Sequence, residues 1–188
     1  MKKILLIVLF LSSAVFASTY EVDMAHSKVG FKVKHMMISN VYGSFANYDA
    51  TIDYDENSKK FKTLDANIEV SSINTENTDR DKHLKSAEFF DTEKFPTIGF
   101  KLLSIDKNKA IGELSIKKIT KKVTFDFQNN GTVKDPWGNT RLGFSLETKI
   151  NRKEFGLISN KLLETGGLVV GDEVAITVDI EAKKKKKQ

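Results

Sequence analysis

Apolar side chains recur at every second position in run after run along this chain, and that repeat constrains the fold more than any other feature. Val29, Phe31 and Val33 alternate with Lys32 and Lys34 in the first clear run, the period of a strand with one wet face. The pattern returns as Tyr48, Ala50, Ile52, Tyr54; as Leu64, Ala66, Ile68, Val70; as Ile98, Phe100, Leu102; as Val123, Phe125, Phe127; as Leu142, Phe144, Leu146; and as Val174, Ile176, Val178, Ile180. Turn-forming stretches separate the runs: DENSK (Asp55 to Lys59), DKNK (Asp106 to Lys109), NNG (Asn129 to Gly131) and DPWGN (Asp135 to Asn139). Together with Ser18 to Asp23 and Ala110 to Ile116, they make eight or more strands joined by short turns, which predicts an all-β barrel or sandwich.

One stretch breaks the period. Thr75 to Ala87, TENTDRDKHLKSA, has no alternation and no β-branched residue after Thr78. It predicts a single short helical insertion near 77–87, with Thr78 and Asp81 as a capping box and Asp79 and Asp81 at the positive end of the helix dipole. Arg80, Leu84 and Ala87 then share a face, and Arg80 beside Asp81 reads as a surface ion pair or as a guanidinium offered to a ligand head group. Laid over a barrel end, such a helix buries Leu84 and brings Phe89 and Phe90 to the rim.

The strand faces bear on the interior. The series Tyr42, Ser44, Ala46, Tyr48, Ala50, Ile52 mixes small and large residues, as do Ala110, Gly112, Leu114 and Ile116. An eight-stranded barrel either fills with side chains or holds one small ligand, and this mixture fits a taper as well as a bore. Thirteen phenylalanines stand against one tryptophan. The concentration at Phe89, Phe90, Phe95 and Phe100 is a hydrophobic plug on one reading and, on the favoured one, an apolar channel wall for something greasy and flexible.

The first residues, MKKILLIVLFLSSAVFAS, combine two lysines, an apolar run and small residues at Val15 and Ala17. They predict a signal peptide over 1–17 and a soluble protein exported to the periplasm or secreted. The remainder, 18–182, reads as one domain, followed by a lysine-rich tail at 183–188. Of the 30 basic residues against 25 acidic ones, seven lie in the leader and the tail, so the domain between them is slightly acidic. Nucleic-acid binding is therefore not expected. The tail reads as solvated, or as a peripheral contact with an anionic membrane. With no cysteine, thiolate metal ligands and disulfides are excluded.

His26, His35 and His83 lack the spacing of a metal site, and no G-x-S-x-G nucleophile elbow exists. No metal, cofactor or catalytic residue is expected. Two alternatives stay open: a lipid-modifying enzyme using His26 or His83 as acid or base, and a secreted surface-interaction protein attached by its lysines.

Five blocks in order then resemble the YceI-like family of lipocalin-like periplasmic proteins: DMAHSKVGFKVKHMMISNVYGSF (Asp23 to Phe45), RDKHLKSAEFFDTEKFPTIGFK (Arg80 to Lys101), GELSIKKITKKVTF (Gly112 to Phe125), DPWGNTRLGFSLETKINRKEFGL (Asp135 to Leu157) and ETGGLVVGDEVAITVDIEA (Glu164 to Ala182). The resemblance implies an eight-stranded antiparallel lipocalin-like barrel, often a homodimer, whose bore binds a long isoprenoid, quinone-like or fatty lipid, with no established catalysis. Its characteristic positions here include His26, Ser27, His35, Gly43, Arg80, Asp81, His83, Phe89, Phe90, Asp91, Pro96, Trp137, Arg141, Asn151, Arg152 and Phe155. On that basis Phe31, Val33, Ile68, Phe90, Phe100, Leu114, Phe125, Phe144 and Ile176 are expected to line the bore, and His26, Arg80, Asp81 and His83 to form a polar mouth.

Overall fold

The computed structural model describes residues 17–160 and 169–186; the leader expectation, apart from Ala17, lies outside them. The alternating runs become eleven strands: β1 (Ser18–Val22), β2 (Lys28–His35), β3 (Ser39–Phe45), β4 (Tyr48–Asp55), β5 (Lys60–Glu69), β6 (Ile73–Asn74), β7 (Thr97–Asp106), β8 (Lys109–Ile116), β9 (Ile119–Lys134), β10 (Thr140–Asn151) and β11 (Val170–Lys184), with one helix, α1 (Thr78–Lys85). Eight strands, in the order β1, β4, β5, β7, β8, β9, β10, β11, make a ring that closes where β11 pairs with β1. The protein is thus a closed, eight-stranded antiparallel barrel, as the resemblance implies and as one of the two architectures the alternation allows.

Closure is shared between two partners. β1 covers only the C-terminal end of β11, from Val22 opposite Ala182 to Tyr20 opposite Lys184. β2 takes most of the rest of that edge, from Lys28 opposite Asp179 to His35 opposite Val170 with an irregularity between Val170 and Val174, and β3 and β6 extend the flap.

The two barrel ends differ. At one, Tyr20, Tyr54, Leu142, Phe144 and Ala182 are buried in a packed plug. The Phe61 ring lies 4.9 Å from Tyr54, 5.1 Å from Phe144 and 5.6 Å from Phe127, the offset and edge-on separations aromatic pairs prefer. The Tyr20 hydroxyl donates to Glu56 at 2.9 Å; burial first, and then that carboxylate, push the Tyr20 pKa up. At the other end the ring gives way to a 3-10 turn (Arg152–Phe155), α1 and the β2–β3 hairpin.

A charge cluster staples the outer wall near the plug. Arg141 donates to Asp23 at 2.6 Å and to Asp135 at 2.9 Å, and lies 3.3 Å from Glu181. Burial alone would raise the Asp135 pKa, but hydrogen bonds from Asn139 and Arg141 outweigh it and hold the group down at about 2.

Several sequence expectations shift. Tyr42 does not share the inner face with Tyr48: it points outward and is well exposed, because the chain bends at Ala46 and Asn47 and the inward phase changes from Val41 and Phe45 to Tyr48, Ala50 and Ile52. A break of this kind flips every later side chain to the other face. NNG is no hairpin turn. It lies inside β9 as a bulge opposite Gly143 and Phe144, where Asn129 accepts from the Gly131 N–H at 2.9 Å and Gly131 takes φ +78°. The helix cap is Asn77, whose side chain accepts from the Arg80 N–H, rather than Thr78, and Ala87 lies beyond the helix and is exposed. Lys183 and Lys184 belong to β11, and Lys184 bonds Glu56, so the first two lysines of the terminal run are strand rather than tail.

Gly112 has φ in the ordinary range but no room: a Cβ there would come within 2.3 Å of the Phe100 ring. Gly112→Ala is expected to cost about 1–3 kcal/mol by overpacking, read as a lowered urea midpoint at unchanged slope. Asp135 predicts acid sensitivity as well. Its folded pKa lies below the ordinary 3.8, so its contribution to stability is complete above that value and is lost as pH falls through about 2. Urea titrations across that window should show a shallower decline for Asp135→Asn than for the wild type.

Candidate functional site

Above the aromatic plug the barrel is hollow. The cavity has a volume of about 540 Å³, within the ~300–1,000 Å³ range of sites that enclose a small ligand. Its wall follows from the alternation, because every second residue of a ring strand must point inward. Phe31, Val33, Ile68, Phe90, Phe100, Leu114, Phe125, Phe144 and Ile176 all line it. Ile68, Phe90, Leu114, Phe125 and Phe144 are buried, whereas Phe31, Val33, Phe100 and Ile176 are half-buried although they face inward.

Small residues have opposite effects at different places. Ala50 and Ala66 sit opposite each other on β4 and β5, line the cavity and leave width between the strands. Gly43 and Gly112 instead lie beneath the rings of Phe31 and Phe100, with a Cβ position 2.3 Å from ring carbons in each case. The glycines let two phenylalanines lie flat against the wall.

The open end is polar on one side. Thr75, Asp79, Arg80, His83 and Leu84 reach the cavity from α1 and its approach, and Lys34 and His35 reach it from the hairpin. Thr75 organises the helix. Arg80 donates from Nε to Thr75 Oγ1 at 2.7 Å and from Nη2 to its carbonyl at 2.6 Å, while Asp81 accepts from the Thr75 N–H at 2.9 Å and from its hydroxyl at 2.6 Å. Arg80 and Asp81 are therefore linked through Thr75, and no direct ion pair joins them among the described residues. Asp81 holds the helix without lining the cavity.

His26 is not at this mouth. It lies on the outer wall with Asp23, 3.1 Å from that carboxylate, beside Arg141 and Glu181 near the plugged end. Sequence placed it with Arg80 because a strand end gives no sign of which barrel end it meets. Ligand atoms of Asp23, His26 and Glu181 lie within 4.8 Å of one another, but Arg141 already supplies positive charge to both carboxylates. The His26–Asp23 pair lowers the Asp23 pKa, with Arg141 adding to it against a burial effect of opposite sign. His83, half-exposed at the mouth, faces Glu88 at 3.5 Å and the Phe89 ring. The two histidines are on different parts of the barrel and form no acid–base pair.

Sequence reading gave Arg152 no role, yet it is the buried cation of the open end. It is 2% exposed and donates to the carbonyls of Gly171 at 2.9 Å, Ser159 at 3.0 Å and Leu157, with Asp172 at 3.3 Å and Phe89 beneath its guanidinium at 5.9 Å. Burial lowers its pKa and Asp172 works against that shift. Its five donors clamp the residues after β10 to the start of β11. The motif NRKEF carries no hint of this, because a buried, carbonyl-bound arginine and an exposed one have the same local sequence.

A family model described as the YceI-like domain matches residues 20–182. A UPF0312 protein of Staphylococcus aureus is 41% identical over 167 residues, covering 87% of this chain and 96% of that protein. Among solved structures, the YceI protein of Campylobacter jejuni is 35% identical with a TM-score of 0.69, covering 88% of this chain and 97% of that one. A polyisoprenoid binding domain from Saccharophagus degradans shares the fold, with a TM-score of 0.68 over 89% of this chain and 99% of that one, at 11% identity. The family match runs from within β1 to within β11 and so takes in the whole ring but for two residues at each end, and with the relatives' identity over most of their length it makes this chain a member of the YceI-like family.

Proposed function

We propose that this protein binds an isoprenoid or similar long-chain amphiphilic lipid in the barrel bore and carries or stores it, as an exported protein of the periplasm. The observation that carries this reading is a cavity closed by an aromatic plug at one end, walled by apolar side chains and polar only at its mouth. A long apolar tail fits that gradient, with its head group beside Arg80 and His83. The leader-like sequence at 1–17 supports export, and a fold shared with a domain described as polyisoprenoid-binding is consistent with the cargo class. The reading is one of binding: of the two histidines an acid–base mechanism would need, His26 lies on the outer wall away from the cavity, and only His83 is at the mouth.

Burial supplies the affinity, at about 25 cal/mol per Å² of apolar area less the cost of freezing the tail's rotors. Selectivity for tail length is correspondingly loose, because an apolar wall distinguishes one methylene by only about 1–3 kcal/mol.

Ala50 and Ala66 provide the test. Organic extracts of protein purified from its native compartment, analysed by mass spectrometry, are expected to contain near-stoichiometric isoprenoid in the wild type and little in Ala66→Phe, whose ring fills the space between β4 and β5. Ala50→Leu, a smaller filler, serves if Ala66→Phe does not fold. An empty wild-type extract, or the same lipid retained by a folded, filled variant, would refute the reading.

A further inference from the structure

The hairpin between β2 and β3 carries a feature that barrel closure does not require. Its turn runs His35–Met36–Met37–Ile38, closed by the Ile38 N–H to the His35 carbonyl at 3.1 Å. Met36 and Met37 take φ +48° and +63°, the left-handed pair of a type I′ turn, where asparagine and glycine are the ordinary occupants. Two long side chains are held there at a conformational cost and are then left in solvent. Met37 is 61% exposed and the adjoining Ile38 84%.

This apolar tip borders the cavity mouth. His35, Lys34, Val41 and Val170 line the cavity, and the Met36 N–H donates to the Val169 carbonyl at 2.8 Å. Ile158, 68% exposed, lies in the segment that Arg152 ties to the start of β11, on the same rim. The hairpin's own charge is one-sided, with Lys34 and His35 next to the tip, while Asp79 of α1 shares the mouth and the nearby Asp172 and Glu173 are already paired with Arg152, Lys153 and Lys149. Residues 28–48 contain Lys28, Lys32, Lys34 and His35 and no aspartate or glutamate, although the chain as a whole carries 25 acidic residues.

We infer that the β2–β3 hairpin is a membrane-docking prong: Met36, Met37 and Ile38 enter the surface of an anionic bilayer, its lysines meet the lipid phosphates, and the cavity mouth is held against the membrane. Flexible methionines suit a fluid apolar partner, and apolar side chains flanked by cations are the composition of interfacial membrane contacts. The inference rests on the lipid-binding reading for its purpose, since a tail that passes directly from bilayer to bore never crosses water. It concerns a different surface from the lysine run, which leaves the barrel at the plugged end beside Tyr20.

Flotation of the mature protein with vesicles of equal parts phosphatidylglycerol and phosphatidylethanolamine tests it. The triple variant Met36→Asn, Met37→Gly, Ile38→Ser suits the turn better than the native sequence, so its thermal midpoint should equal or exceed the wild type's, while its vesicle-bound fraction should fall about tenfold or more. Trp137→Ser, at the plugged end and 80% exposed in the native protein, should float as the wild type does. Wild-type protein that stays in solution, a triple variant that still floats, or equal loss in Trp137→Ser would each overturn the prong. So would an apolar tip that serves only to pair two copies, seen as a wild-type dimer that the triple variant abolishes without loss of flotation. Loading from polyprenol-containing detergent micelles separates this from the cargo reading. The triple variant should load like the wild type, and failure of both to load removes the cargo while flotation still decides the prong.

Discussion

A sheet escapes its own edges only by closing on itself, and in this protein closure depends on the free side of one strand. β11 is 15 residues long and has β10 along one side; no single strand matches it along the other. β1 takes one end and β2 most of the remainder, with an irregularity between Val170 and Val174, so most of that edge is paired without β1 having to be long. The division fixes much else. Where β1 pairs, the ring is complete and its interior packs solid around Tyr20 and Tyr54; where β2 pairs, a hairpin leans over the ring and the interior stays hollow. Plug and cavity are two outcomes of the same strand meeting different neighbours.

Much of this was legible in the residues. A period of two over seven runs is a strong signal because burial of one face is the dominant energy of a strand, and its inward phase carries Phe31, Val33, Ile68, Phe100, Phe125, Phe144 and Ile176 to the cavity wall, whereas Phe90 lies in no such run. It failed where the phase is reset by something the period does not see. The bend at Ala46 and Asn47 moved Tyr42 outside, and an asparagine–glycine pair whose local chemistry suits either a turn or a bulge became a bulge, because β10 continues opposite it. Neither outcome is decided within the few residues concerned.

The polar site was less legible for a related reason. Arg80 and Asp81 are neighbours of opposite charge, and a sequence suggests that they pair; in the fold both turn to Thr75, whose backbone and hydroxyl offer one acceptor and one donor set within reach. His26 and Arg80 are both polar residues at element ends, but the ends are different. Arg152 is the extreme case: a charge removed from water survives there because four carbonyls and a carboxylate surround it, and those acceptors come from residues up to 20 positions away.

The placement of the C-terminal strand end gives the molecule a direction. Chain beyond Lys184 departs beside Tyr20 and Glu56, on the closed side, and the entrance faces the other way. A fluorophore, a solid support or a fused domain joined there would therefore stand clear of the entrance, so immobilised barrels would present their open ends outward, like cups set on their bases.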